Sequence, residues 1–180
     1  MMTAHWKWIT GLTLGLTVLF CASFVLFYQR AQQQQQRPAP SAKGIDKPLP
    51  KANLVDLANN PLGDSSLRAG RVVLVFVTAE CEACMREAEF LRTVVSRKND
   101  VRFYGVISYG EKASSLRAAE RIFPFEVFYD ESSQLGGALG ITKVPIKLYL
   151  EEGVIRKAWG GATTDDQKKA AFVQWLDDLP

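Results

Sequence analysis

Val72-Val73-Leu74-Val75-Phe76-Val77 is an unbroken apolar run rich in β-branched residues. A strand with one wet face alternates polar and apolar side chains, and this one offers no polar side to water. It therefore needs cover on both faces, which puts it at the centre of a sheet with helices on each side. Thr78-Ala79-Glu80 follows, and then Cys81-Glu82-Ala83-Cys84. From Cys84 to Ser96 the pattern turns helical, with Met85, Ala88, Leu91 and Val95 recurring on one side.

The alternation continues to the end of the chain. Val101 to Ile107 reads as a second buried strand, Glu111 to Arg121 as a helix, and Phe125 to Tyr129 as a short strand. Gln134 to Leu139 is a short helical or turn segment. Ile146–Leu150 and Val154–Trp159 flank Glu151-Glu152-Gly153, the spacing of an antiparallel hairpin with a glycine turn. Asp165 to Leu179 closes with a helix, for which Thr163 or Thr164 is the expected N-cap. The predicted class is α/β, with a central mixed β-sheet flanked by helices.

The N-terminal part obeys different rules. Trp8 to Gln29 contains no charged residue, and 22 residues span about 33 Å as a helix against a hydrocarbon core of roughly 30 Å. Trp6, Trp8 and Tyr28 fall where interfacial aromatics sit. The stretch exceeds a signal-peptide core, and no small-x-small cleavage site follows it. The expectation is a short segment over residues 1–7 and an uncleaved transmembrane helix over 8–29 in contact with the lipid bilayer. Cys21 is then an inert thiol within the membrane. Residues 30–44, with Gln32 to Gln36 and Arg37-Pro38-Ala39-Pro40-Ser41, read as a flexible spacer. Residues 45–180 form the folded domain, long enough to bury about two-thirds of its unfolded surface without a structural disulfide.

Charge and residue counts then narrow the chemistry. Of 22 basic residues, Lys7, Arg30, Arg37 and Lys43 precede Asp46, the first of 19 acids. The remaining 18 nearly balance those acids, so the domain has no electrostatic footprint for nucleic acid. The three cysteines are Cys21, Cys81 and Cys84, and the single histidine is His5. A four-ligand zinc site cannot be assembled around Cys81 and Cys84, and a histidine-dependent hydrolase has no histidine in the domain. What remains is one dithiol, with no metal and no cofactor beyond it.

Three-residue spacing in a first helical turn brings two Cα atoms to about 5–6 Å, close to the preferred disulfide separation. Cys81 falls at the helix N-cap, where unpaired amides and the positive end of the dipole stabilise a thiolate. Cys84 lies one turn further in and is suited to resolving a mixed disulfide.

At this point the chain resembles the thioredoxin superfamily, and within it the membrane-anchored TlpA/ResA-type thiol–disulfide oxidoreductases. Leu49-Pro50 with Asn53-Leu54-Val55-Asp56 resembles that group's N-terminal strand, and Ser66 to Gly70 its lead into the central strand. Cys81 to Glu87 matches its active-site turn, and Gly140-Ile141-Thr142-Lys143-Val144-Pro145 its glycine-to-cis-proline segment. Gly153 and Gly160 fall at its hairpin and post-hairpin glycines. The resemblance covers residues 48–178. It implies a thioredoxin-like fold, Cys81 and Cys84 as the catalytic pair, and a cis Val144–Pro145 bond facing them for substrate peptides. Protein thiols and disulfides are the implied partners, along with a membrane protein that supplies electrons.

The departures are specific. Glu80 replaces the tryptophan before the first cysteine, Glu89 stands near the position of a helix-kinking proline, and Val75 replaces thioredoxin's buried acid. Glu82 or Glu87 can substitute for that acid in proton transfer, or can simply favour the first half of the helix. Glu80 and Glu82 flank Cys81, and like charge opposes thiolate formation. The expected direction is therefore reduction of substrates rather than oxidation.

Two other functions compete. Thr78 before Cys81 and the Glu87–Arg92 stretch faintly resemble a peroxiredoxin-like thiol peroxidase, but Leu74 stands where that family has proline. A metal-chaperone or binding module of the same fold would use a wider cysteine pair and a histidine. As to membrane side, Arg30, Arg37, Lys43, Lys47 and Lys51 follow the span and by themselves favour a cytoplasmic domain. The resemblance implies an extracytoplasmic, periplasmic-side domain, and that is the expectation adopted. It leaves open apocytochromes of cytochrome c biogenesis, copper-centre proteins and general secreted thiols as substrates.

Overall fold

A computed structural model of the chain describes Ser23 and residues 44–179. Apart from Ser23, the expected anchor over 8–29 lies outside the described residues, as does nearly all of the spacer over 30–44. Among the described residues, no helix is long and apolar enough to cross a membrane.

Along the chain the elements are β1 (Lys47–Pro48), β2 (Leu54–Val55), α1 (Asp64–Arg68), β3 (Arg71–Phe76) and α2 (Glu82–Arg97). Then follow β4 (Arg102–Ile107), α3 (Lys112–Ile122), β5 (Glu126–Asp130), a 3-10 turn (Glu131–Ser133) and α4 (Gln134–Leu139). The hairpin β6 (Ile146–Glu151) and β7 (Val154–Gly160) and the closing helix α5 (Asp166–Asp177) complete the domain.

The strands form one sheet in the order β1-β7-β6-β3-β4-β5-β2. β3, β4 and β5 run parallel, as strands joined by helical crossovers must, while β6 pairs with β3 antiparallel. The sheet is thus mixed, as expected, and β3 lies at its centre. Val73, Val75 and Val77 pack on one face against Cys84, Ala88 and Leu91 of α2 and Phe172 and Leu176 of α5. Val72, Leu74 and Phe76 pack on the other face with Leu67 of α1 and Leu135 and Leu139 of α4. None of the residues from Val72 to Val77 is more than 1% exposed.

Local chemistry fixes the joints. Glu152 and Gly153 both take positive φ, the backbone a two-residue hairpin turn requires. A Cβ on Gly153 would come within 2.9 Å of Arg68 Cγ, so the turn also needs glycine for space. α2 runs through Glu89 as a single helix and starts at Glu82, two residues before the expected Cys84. The N-cap of α5 is a second correction: it is Asp165, whose carboxylate accepts the Lys168 amide at 2.8 Å, rather than Thr163 or Thr164. Thr163 is buried and bonded elsewhere.

Glu111 caps α3. Its carboxylate accepts the amides of Ser114 at 2.7 Å and Ala113 at 3.0 Å. Those bonds, Ser114's foremost, hold its pKa down at about 2 from the ordinary 4.5. A carboxylate whose folded pKa lies below its unfolded one stabilises the fold above the unfolded value and loses that contribution as pH falls toward the folded one. Glu111→Ala is therefore expected to lower the thermal midpoint at neutral pH. The deficit should shrink between about pH 4.5 and pH 2, as followed by circular-dichroism melts across that range.

Candidate functional site

β3 and the segment after it deliver the cysteine pair to the C-terminal end of the central strand. The Val77 amide still bonds to the Val106 carbonyl at 3.0 Å, and the Cys81 amide then reaches the Thr78 carbonyl at 3.3 Å. Cys81 occupies the N-cap of α2, and its sulfur accepts the Cys84 amide at 3.1 Å. An amide aimed at that sulfur, at the positive end of a helix, stabilises negative charge there. Cys84 is fully buried, whereas Cys81 is partly exposed. The two are joined as a disulfide with their Cα atoms 5.2 Å apart, within the separation read from the sequence.

Across from the disulfide lies the segment before β6. The Val144–Pro145 bond is cis, as the resemblance implies. Cys81 Sγ sits 3.9 Å from the Val144 carbonyl oxygen. The Pro145 carbonyl is occupied by the Gly161 amide at 2.9 Å, which ties this segment to the end of β7. Tyr109, just beyond β4, donates its hydroxyl to the Ile141 carbonyl at 2.9 Å, with its ring 47% exposed. Met85 adds an apolar side chain that is 42% exposed beside Cys84 in sequence. The sequence reading gave Tyr109 no role and Met85 only a place on the helical face of α2.

The three glutamates part company. Glu80 and Glu82 are exposed, and Glu82 stands 3.7 Å from the Arg86 guanidinium one turn on. That exposed pair is weak, but it sets against Glu82 the cation nearest to Cys81 in sequence. Glu87 is fully buried. Three residues after Cys84 on α2, it shares that cysteine's inward face. Its Oε1 accepts the Thr163 amide at 3.1 Å, the Thr163 hydroxyl and the Lys147 ammonium.

Lys147 is the residue that sequence reasoning missed. It lies in β6, two residues after Pro145, and is fully buried in an ion pair with Glu87. Its ammonium also donates to the Gly161 carbonyl at 2.9 Å and sits 5.4 Å from the centre of the Phe172 ring. Burial pushes the Lys147 pKa down, and the Glu87 carboxylate opposes that push. In the β3–β6 register Lys147 stands opposite Val75, the position of the missing thioredoxin acid. A lysine inside an otherwise apolar strand beside the central one was the available signal.

A family model for Redoxin matches residues 38–155. The chain belongs to the Redoxin family. Among solved structures it is similar to a thiol:disulfide interchange protein from a Bacteroides species, with 17% identity and a TM-score of 0.60 over 77% of this chain and 92% of that one. It is also similar to an exposed lipoprotein thioredoxin from Streptococcus pneumoniae, at 21% identity and a TM-score of 0.58, covering 70% of this chain and 97% of that one. A third is a secreted disulfide oxidoreductase from Mycobacterium tuberculosis, at 18% identity and a TM-score of 0.54, covering 66% and 93%. No curated protein sequence matches the chain. The family and the shared fold agree with the expected thioredoxin-like thiol–disulfide oxidoreductase. Among the described residues there is no cluster of three or more potential metal ligands.

Two outcomes are expected of this geometry. In the reduced protein, alkylation followed by mass spectrometry should modify Cys81 first and reach Cys84 only on unfolding, because burial shields the second thiol. Glu87→Gln or Lys147→Met alone leaves one buried charge without its partner and should cost about 3–5 kcal/mol in urea unfolding. The double variant, with no lone charge, should recover most of that loss.

Proposed function

We propose that this redoxin domain is held at a membrane by residues 8–29, outside the cytoplasm, and reduces disulfides of proteins there. The observation that carries the reading is the disulfide itself: a partly exposed Cys81 at a helix N-cap, 3.9 Å from the Val144 carbonyl, joined to a buried Cys84. The M. tuberculosis and S. pneumoniae relatives, described as secreted and as an exposed lipoprotein, support the extracytoplasmic side. The 22 uncharged residues from Trp8 to Gln29 support the tether.

The reaction begins from the dithiol. An extended substrate peptide docks along Val144–Pro145. The Cys81 thiolate attacks one sulfur of the substrate disulfide, breaks the S–S bond, and expels the other sulfur as a thiolate. Cys84 then loses its proton to Glu87, whose Oε2 has no hydrogen-bond partner among the described residues. The Cys84 thiolate attacks Cys81 Sγ, closes the Cys81–Cys84 disulfide, and releases the second substrate thiol. Two electrons have passed to the substrate, and a membrane dithiol protein returns them to the domain. No cofactor takes part.

Cys81→Ser is expected to abolish insulin disulfide reduction, whereas Cys84→Ser retains attack and accumulates mixed disulfides visible on non-reducing gels. Identical behaviour of the two variants overturns the assignment of nucleophile and resolver. Alkaline phosphatase fused to the C-terminus should be active if the domain lies outside the cytoplasm. An inactive phosphatase with a fluorescent green-fluorescent-protein fusion overturns the location.

A further inference from the structure

The ion pair between Glu87 and Lys147 is a strange thing to bury next to a redox centre. Opposite charges taken out of water gain little net stability over well-packed apolar residues. Val75, directly opposite Lys147 in the sheet, is the kind of residue that could have filled the layer. The pair joins the two halves of the site. Glu87 belongs to the helix that carries Cys84, and Lys147 to the strand that begins at the residue after Pro145.

The distribution of donors on Glu87 is uneven. All of them converge on Oε1: the Lys147 ammonium, the Thr163 amide and the Thr163 hydroxyl. Oε2 is buried and has none among the described residues. Lys147 is in turn anchored by the Gly161 carbonyl, which cannot move independently of Pro145 because the Gly161 amide bonds to the Pro145 carbonyl. The ammonium is thus fixed in place by backbone, and through Oε1 it fixes the orientation of the carboxylate.

We propose that Lys147 is a positioning residue of the dithiol: it holds Glu87 by Oε1, one helical turn behind Cys84, so that Oε2 stays open as the proton acceptor during resolution. The inference rests on the proton-transfer role assigned to Glu87 above. The groups that face the pair leave few rivals for this proton. Cys84 shares the buried face of α2 with Glu87, and Thr163 bonds to Glu87 from the segment before α5. β3 contributes Val75, β7 Trp159, and α5 the Phe172 ring. Tyr149, two residues along β6, is buried, and burial raises its pKa so that it stays protonated.

The test isolates resolution. The full chain, purified in detergent and reduced, is loaded on Cys81 with thionitrobenzoate as a mixed disulfide, and release of the coloured thiol is followed by stopped flow from pH 5 to 9. Glu87→Gln is expected to slow release at neutral pH by about a hundredfold, the order supplied by a positioned base. Lys147→Met should slow it by a similar factor and displace its pH profile, while Cys81 alkylation in the reduced protein stays within about twofold. The double variant should be no slower than Glu87→Gln, because Lys147 acts only through the carboxylate.

A Lys147→Met profile that overlays the wild type, with only a lower melting temperature, overturns the inference and leaves the lysine a packing residue. A double variant slower than Glu87→Gln by a further tenfold also overturns it, and this arm decides if Lys147→Met fails to fold, since the double variant buries no lone charge. The underlying reading fails separately. A wild-type protein that does not release the thiol, or a Cys84→Ser variant that releases it as fast, removes the resolving cysteine. An unslowed Glu87→Gln removes the proton acceptor, and Lys147's role with it.

Discussion

Burial of β3 on both faces is the constraint from which the rest of the domain follows. Each face of the strand presents three apolar side chains, and each must be covered by a separate layer. The covering helices α2 and α5 on one side and α1 and α4 on the other can reach their places only through crossovers and a hairpin, which yields the mixed sheet. The strand's neighbours on both sides satisfy its backbone up to its C-terminal end, where it stops at Phe76. There the chain turns into α2, and Cys81 falls on the first unpaired amides of that helix. The position of Cys81 and the amide aimed at its sulfur thus follow from the same turn.

The electrostatics of the site divide into an outer and an inner set. Outside, Glu80 and Glu82 stand in water, with Arg86 beside Glu82, and solvent weakens what any of them can do to Cys81. Inside, Glu87 and Lys147 are cut off from solvent, so each depends on the other and on Thr163 and Gly161. Interactions in that drier region are stronger, and a small displacement of either charge is felt more. This contrast separates acids whose charge solvent screens from a buried pair whose charges it does not.

The elements with strong local signals were legible in the chain. The six-residue apolar run, the helical spacing after Cys84 and the Glu-Glu-Gly turn each gave the correct element to within a residue or two at their ends. Gln134–Leu139 matched at both ends. The α5 N-cap was misplaced because threonine and aspartate both cap well, and the choice was made by Glu87, which recruits Thr163 into the interior. Tyr109 escaped notice because its partner, the Ile141 carbonyl, is 32 residues away and has no sequence signature.

By itself the sequence determined what is local or compositional: an α/β alternation and one dithiol at a strand–helix junction. Cys81 as the N-cap needed only the spacing of Cys81 and Cys84 and the strand before them. Tertiary structure alone decided which of three nearby glutamates is buried, since helical position makes Glu82 and Glu87 both plausible but only one faces the core. It also decided that Lys147, 60 residues away from Glu87, supplies the countercharge. A buried charge is tolerated only where a partner reaches it, and the partner is fixed by which strand lies beneath the helix, a fact of sheet order rather than of residue order.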